Sequence, residues 1–381
     1  MENTQEKYPN FISAEVIADS LNQFGERITT MKLVFPRIIL AEFNTHRMFN
    51  RNSASSRAIP FHKMVKMVQE QPFIPIAWQK EHKGMQGIEY FTDEKDIYRV
   101  EQVWRDARRR AIDVAKDLHS SKVTKQLCNR LLEPFMYHTV LVTATEWENF
   151  FELRCSSYKI DDIDNTRFKS WKDLISFIKD RDKVDNSVIE SYEQFSVIEK
   201  LQKNKGQAEI HIMDLAEKMW NAYNESTPKQ LEVGQWHIPF GDTFNTLKQE
   251  DDLEDLLNDI NYIPKNILFN IDFLTQAKLA IATARCARIS YETLGDNPEI
   301  DYEKDIKLHD DLLVMKHFSP FEHCCVVMNE ENYYSHIKTT KAKSFTISNN
   351  DDIYIDGPIS FKDCGWSRNF KGFKQYREII E

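Results

Sequence analysis

Thirteen residues, Thr45–Arg57 (THRMFNRNSASSR), hold three arginines (Arg47, Arg51, Arg57), His46, two asparagines and three serines. After Phe49 no hydrophobic residue larger than alanine occurs until Ile59. Donors are dense and acidic counter-charge is absent. That is the composition of an anion cradle: hydroxyls and amides orient a ligand, and guanidinium forks grip phosphate oxygens two at a time. The alternative is a solvated basic linker. The apolar segments LVFPRIILAEF before the run and AIPF after it pin both ends, which favours the cradle.

Two further positions could do chemistry. Arg154 shares a helical face with Trp147, Phe150 and Phe151 in EWENFFELR. A charge on a buried aromatic face needs an anionic partner, unless its stem carries it to the surface. In GQAEIHIMDLAEKMWNAY, Gln207 and His211 are four apart and would project from one helix face. A histidine there would be a titrating donor.

The elements that must position these residues follow from periodicity. AEVIADS and RITTMKLVF alternate and are β-branched, so they read as strands joined by a turn at Gly25. Pro36 suits the first turn of a helix RIILAEFNTHRMF, with the cradle as the loop beyond. Residues 97–118 place Val103, Trp104, Ala107, Ala111, Val114, Ala115 and Leu118 on the apolar stripe of a helix. A second helix spans about 122–132, stopped by Pro134, and YHTVLVTAT reads as a strand. Thr145 with Glu148 has the capping-box form and should start the helix that carries Arg154. Ile212, Leu215, Ala216, Met219 and Tyr223 form the core stripe of a later helix. IDFLTQAKLAIATARCARISY is a helix ending near Ser290, ETLGDNPEIDYEK a turn-rich loop, and DIKLHDDLLVMKHF another helix. HFSPFEH punctuates before a strand, CCVVM, and the tail ends as a loop followed by a helix.

Bulk properties narrow the function. At 381 residues the chain suits two or three domain-sized units, or one large domain with insertions. A formal charge of −10 and pI of about 5.7 argue against nucleic acid and anionic membranes as partners. No apolar run approaches a membrane span and the N-terminus lacks a signal-peptide core, so a cytoplasmic location is expected. Six cysteines without a CxxC pair read as reduced thiols. There is no GxGxxG, Walker A, GxSxG or HExxH. His309, His317 and His323 match no ligand spacing, so no metal is expected.

The run THRxxNxNxxSxR resembles the signature RHRxxSxNxxSxR of flavin-dependent thymidylate synthases, matched at His46, Arg47, Asn52, Ser55 and Arg57. RITTMKLVFPRIILAEFNTHR is similar to the family's lead-in, LVTATEWENFFELR to its TxNxRSLxxFLxLR, and GQAEIHIMDLAEKM to its AQxEIRxxA. CARISY (286–291) and SPFEH resemble its AARxSY and TPFEH. Those two pieces precede the RHR motif in typical members and follow it here, so the order looks circularly permuted, as tolerated where termini lie close. The longer form resembles phage-encoded members.

The resemblance implies an α/β (α+β) fold with a mixed or antiparallel sheet packed with helices. It implies conversion of dUMP to dTMP with methylenetetrahydrofolate as carbon donor, FAD as the hydride carrier and NADPH as reductant. The implied organisation is a nucleotide- and FAD-binding core part (1–155 with 206–240), a charged insertion (156–205) and a second core part (265–381). The substrate dUMP would meet Glu42, Ser53, Ser55, Arg57, Arg154 and His211; FAD would meet Thr45, His46, Arg47, Asn52, Gln207, Ser290 and His323. His211, Arg57 and Arg47 would be catalytic. His211 stands where the family has an arginine that binds and polarises the uracil, Glu42 where it has a glutamine, Thr45 where it has the first Arg of RHR, and Asn50 where it has a serine. Ser53 stands where typical members have a glutamate, and Thr143 and Thr145 replace an Asn and an Arg. Family sites form between subunits, so a homo-oligomer, a tetramer, is expected. The rivals are hydroxymethylation of dUMP or dCMP on the same scaffold, and a nucleotide-binding protein that has lost turnover.

Overall fold

The computed structural model describes residues 10–83, 87, 89–159, 166–180, 186–241, 271–291, 301–335, 345–347, 353–355 and 364–381. Its spine is a five-stranded mixed sheet. Strands β1 (Ser13–Asn22) and β2 (Arg27–Pro36) form the expected antiparallel hairpin. The Asn22 side-chain oxygen accepts from the backbone N–H of Phe24 and Glu26, and Gly25 supplies the positive φ (+80°) that the turn requires. Strand β3 (Asn50–Ser53) and strand β4 (Tyr137–Ala144) continue the sheet antiparallel, and β5 (Lys229–Leu231) joins β1 in parallel, giving the order β3-β4-β2-β1-β5. Every residue of β4 is buried. Apart from His138, the run YHTVLVTA is apolar or hydroxylic because both faces of the sheet are covered.

Side chains alternate between those faces. One face presents Met31, Leu33, Phe35, Val140 and Val142 to the helix Ile210–Glu225, whose Ile212, Leu215, Ala216 and Met219 are buried against it. The helix Glu148–Arg154 adds Phe150 and Phe151, with Trp147 just ahead of it, to the same core. The other face is covered by the C-terminal third. There Leu141 packs with Cys286 and Ile289, and Ile28 packs with Cys325, Val327 and Phe373. This layer holds the helices Phe273–Arg288 and Tyr302–Val314. It also holds a three-stranded sheet of β6 (Trp236–His237), β7 (Cys325–Val327) and β8 (Phe373–Gln375), in the order β8-β7-β6. Asp305, with its side chain 4% exposed, joins the two helices by accepting from Arg288 Nε (2.7 Å) and Arg285 Nε (3.4 Å). All six cysteines are buried and free.

Several local expectations are corrected. The helix after Pro36 is a short 3-10 turn followed only by Leu40–Asn44, and Asn50–Ser53 is a strand rather than part of a loop. Pairing with β4 overrides the weak strand propensity of Asn-Arg-Asn-Ser. Thr145 caps nothing: the helix begins at Glu148 after Trp147, and the Thr145 hydroxyl accepts from the Lys371 N–H at 3.1 Å. The tail forms a two-stranded hairpin and β8 before its short helix. The long helix Glu94–Ser120 buries Ile112 and Ala115 but leaves Val103 and Val114 exposed. Among its described residues the segment 156–205 contains three helices, and a small cluster of its own is built on Tyr158, Trp171, Leu174, Ile175 and Ile178. Most of 292–304 and of the acidic stretch 242–262 lies outside the described residues. Among the described residues no helix is long and apolar enough to cross a membrane, and no group of three His, Cys, Asp or Glu could hold a metal.

Candidate functional site

The Thr45–Arg57 stretch folds against three distant parts of the chain. Helix Leu40–Asn44 ends when Thr45 turns back, its hydroxyl donating to the Glu42 carbonyl at 2.6 Å. Strand β3 then runs along β4, with Asn50 opposite Thr143 and Asn52 opposite Leu141. Asn52 donates to the Cys286 carbonyl at 3.2 Å, and the Ser55 N–H donates to the Ser290 carbonyl at 2.7 Å. From the tail, the Asn369 side-chain amide donates to Asn50 Oδ1 (2.9 Å) and to the Arg47 carbonyl (3.3 Å). The turn beyond is pinned by Asn129, which donates to the carbonyls of Ser56 and Ile59, and by Ser56, which donates to Glu133.

Cationic groups gather at the start of this stretch. Arg51 donates to the His46 carbonyl at 3.1 Å, and Arg154 donates to the Thr45 hydroxyl at 3.2 Å. Neither guanidinium has a carboxylate partner among the described residues. Burial holds the Arg51 guanidinium below its usual pKa. The His46 ring lies 4.4 Å from the Phe49 ring and 5.5 Å from that of Phe150. Burial first, and then the nearby Arg51 and Arg154 charges, lower the His46 pKa, against a hydrogen bond with the Glu146 backbone. Its Nε2 is buried without a partner. Arg47 and Arg57 are exposed and Ser53 and Ser55 half-buried. The result is a neutral imidazole flanked by two uncompensated guanidiniums, with a third and fourth on the rim. Such a cluster can hold an anion and orient it by hydroxyl and amide donors.

Behind the strand lies a buried polar chain with no sequence signal. Ser20 Oγ meets His237 Nδ1 at 2.9 Å, and His237 Nε2 meets Thr30 Oγ1 at 2.8 Å. Thr30 Oγ1 meets Thr143 Oγ1 at 2.7 Å, and Thr143 Oγ1 meets His323 Nδ1 at 2.8 Å. All five residues are at most 4% exposed. Burial lowers the His323 pKa to about 3, with His237 adding to the effect, and lowers that of His237 to about 4. Both rings are therefore neutral at neutral pH, and the chain can be satisfied with its hydroxyl protons pointing either way.

The expected site residues divide accordingly. Thr45 meets Arg154, His46 and Arg47 follow it, and Ser53, Ser55 and Arg57 come next along the strand and the turn beyond, with Glu42 exposed on the preceding helix. Asn52 is buried and turned to the Cys286 carbonyl, on the other strand face from Arg51. Ser290 reaches them through its backbone carbonyl. His323 reaches them only through Thr143 and is fully enclosed. His211 and Gln207 are not brought in. The helix starts at Ile210 with Glu209 as its cap, so Gln207 precedes it and the shared face does not form. The His211 ring is 3% exposed, in edge contact with Phe73. Its Nε2 accepts from the Ile76 N–H at 3.1 Å, which places its proton on Nδ1, donated to Glu209 at 2.5 Å. Gln207 lines a separate cavity of about 540 Å³ with Gln79, Tyr90 and Arg167. A larger cavity, about 1060 Å³, opens between the long helix and the 156–205 segment, walled by Trp78, Tyr98, Tyr137, Trp171 and Glu217, and no cradle residue lines it. Sequence reading named Arg51 in the run but gave it no role, and it overlooked Asn369. The β4 pairing sets Arg51 on the opposite strand face from Asn50 and Asn52, which a loop reading of the run does not show.

No family model matches the chain, and no curated protein sequence matches it. Among solved structures the chain is similar to the crystal structure of a UMP/dUMP methylase PolB from Streptomyces cacaoi bound with 5-Br UMP, at 14% identity and TM-score 0.36, covering 57% of this chain and 90% of that one. It is likewise similar to that methylase bound with 5-Br dUMP, at 12% identity and TM-score 0.37, covering 57% and 91%.

Proposed function

We propose that the chain is an enzyme acting on a pyrimidine nucleoside monophosphate, an FAD-dependent thymidylate synthase that converts dUMP to dTMP with methylenetetrahydrofolate and NADPH. The observation that carries this reading is the pair Arg51 and Arg154, which meets at Thr45–His46 without a carboxylate. Partly burying a guanidinium costs free energy that an anionic ligand would offset. The sequence resemblance supports phosphate-bearing ligands at this place. Arg57 and Ser55 would hold the dUMP phosphate and ring, and Arg47 on the rim would complete the cationic edge.

The residues present fit a flavin nucleotide at the cradle's other end, because the uncompensated Arg51 and Arg154 guanidiniums suit a diphosphate. When bound, FAD would supply the hydride transfer. The chain's own work is to bind two anionic ligands side by side, to orient them through Thr45, Arg47, Asn52 and Ser55, and to stabilise negative charge on the uracil ring by nearby arginines. His211 and Gln207 are not needed for this arrangement.

Purified protein tests the reading. A flavin absorbance spectrum, saturable dUMP binding and a product of dTMP mass from dUMP, methylenetetrahydrofolate and NADPH are expected. A flavin-indifferent protein, or one blind to dUMP, refutes it. A product heavier by one oxygen would reassign the reaction to hydroxymethylation.

A further inference from the structure

On the helix Glu94–Ser120, at about 100° per residue, Val100, Val103, Ala107, Ala111, Val114 and Leu118 fall within an arc of about 80°. All but Val100 belong to the stripe expected to face the core, which also includes Trp104 and Ala115. The core takes the neighbouring arc, with Trp104, Ile112 and Ala115, and reaches the stripe at its edge through Ala111. Val103 is left 66% and Val114 49% exposed. Apolar side chains repeating along one helix face are the pattern of a packed seam.

The charges beside the stripe identify what packs there. The solvent-side flank reads Arg99, Asp106, Arg110, Asp117 in order. Arg110 and Asp117 have no side-chain partner among the described residues. Arg99 and Asp106 are held only by exposed pairs within the helix, to Asp96 and Arg109, which contribute little. In an antiparallel helix pair each flank meets itself. A two-fold axis opposite residue 108 sets Arg99 against Asp117 and Arg110 against Asp106, both pairs at once. The same axis sets Val103 near Val114 and brings Ala107 and Ala111 to the centre, where small side chains let the backbones approach. A parallel pairing would instead turn this flank toward the partner's opposite flank, where Trp104 and Ala115 are already taken up by the core, and would leave the charges unmatched. We infer that this face docks a second copy of the chain, antiparallel, about a two-fold axis at residue 108.

Sedimentation of the full-length protein, with far-UV circular dichroism to verify folding, tests this. The wild type is expected to associate as a dimer or a multiple of one. Val103→Glu combined with Val114→Glu should leave monomers or halve the assembly. Arg110→Asp alone opposes aspartates at both symmetry-related contacts and should raise the dimer Kd roughly tenfold or more; Asp106→Arg alone should do likewise. An equimolar mixture of those two variants restores both pairs within a heterodimer and should recover wild-type affinity. A monomeric wild type at its highest soluble concentration overturns the inference. So does association that survives the double Glu variant, or a mixture of folded single variants that fails to recover.

Discussion

Thr143→Val would test whether the buried chain from Ser20 to His323 holds the sheet to its C-terminal cover. Thr143 Oγ1 makes two hydrogen bonds, to Thr30 Oγ1 at 2.7 Å and to His323 Nδ1 at 2.8 Å, and the residue is 0% exposed. Valine keeps the shape and strand propensity but removes the hydroxyl that joins Thr30 to His323. One partner on each side then faces an apolar methyl where no solvent reaches. A buried donor or acceptor left unsatisfied costs about 1–3 kcal/mol, so the variant should lose roughly 2–5 kcal/mol. The assay is urea unfolding at pH 7, with Thr139→Val as the control. Thr139 is on the same strand and the same face, 3% exposed, and its side chain has no hydrogen bond among the described residues. Its replacement should cost less than about 1 kcal/mol. Thr30→Val combined with Thr143→Val should cost less than the sum of the two, because they share one hydrogen bond. A Thr143→Val variant no less stable than the control would refute the chain as a structural link.

Stability should fall steeply between pH 6.5 and about 4. His237 is lowered to about 4, and His138 and His323 to about 3, all from an ordinary 6.5 and all chiefly by burial. Below 6.5 the unfolded chain binds protons that the native state refuses, so the native advantage present above 6.5 is lost on acidification. At pH 5 each ring should cost about 2 kcal/mol, and unchanged urea midpoints at pH 7 and pH 5 would contradict this. Arg51→Ala removes a charged donor at the Thr45–His46 end of the cradle and should weaken FAD binding by about 2 kcal/mol, roughly thirtyfold in Kd by calorimetry; Arg57→Ala should weaken dUMP binding without lowering the melting temperature. His211→Ala leaves the Ile76 N–H unpaired and takes from Glu209 its ring hydrogen bond, though not its two backbone ones, and should lower stability by about 2 kcal/mol. The same variant should leave dUMP affinity within twofold, whereas lost affinity in a folded His211→Ala would return that residue to the site.

The strongly periodic parts of the fold were legible. The β1–β2 hairpin around Gly25, strand β4 and the helix with Ile212, Leu215, Ala216 and Met219 are each fixed by local pattern and turn chemistry. The failures lie where long-range pairing decides. Asn50–Ser53 becomes a strand only because β4 offers an edge, and Thr145 spends its hydroxyl on Lys371 rather than on a cap. Of the site, residue types and spacing exposed the cradle. They could not show that Glu209 would cap its helix and draw His211 inward, since that depends on the Phe73–Ile76 loop arriving at its ring. The threonines of the buried chain were invisible because threonine is also an ordinary strand former.

Among the described residues several largely buried charges are compensated by an opposite charge. Asp305 faces Arg285 and Arg288, Arg27 faces Asp19, and Lys371 faces Glu26. The chain has an excess of acidic residues, so a carboxylate for Arg51 or Arg154 would have been easy to supply. At Thr45–Arg57 it is missing, while four other anchors hold the backbone in place: the tail amide of Asn369, the carbonyls of Cys286 and Ser290, and the side chain of Asn129. Folding stability alone gives no reason to spend three distant segments on fixing a stretch whose cations repel one another. Binding does, because a rigid, uncompensated cluster loses little entropy when an anion arrives and gains the whole of the charge pairing. The same argument separates the cradle from His211, whose every polar atom is already satisfied within the chain.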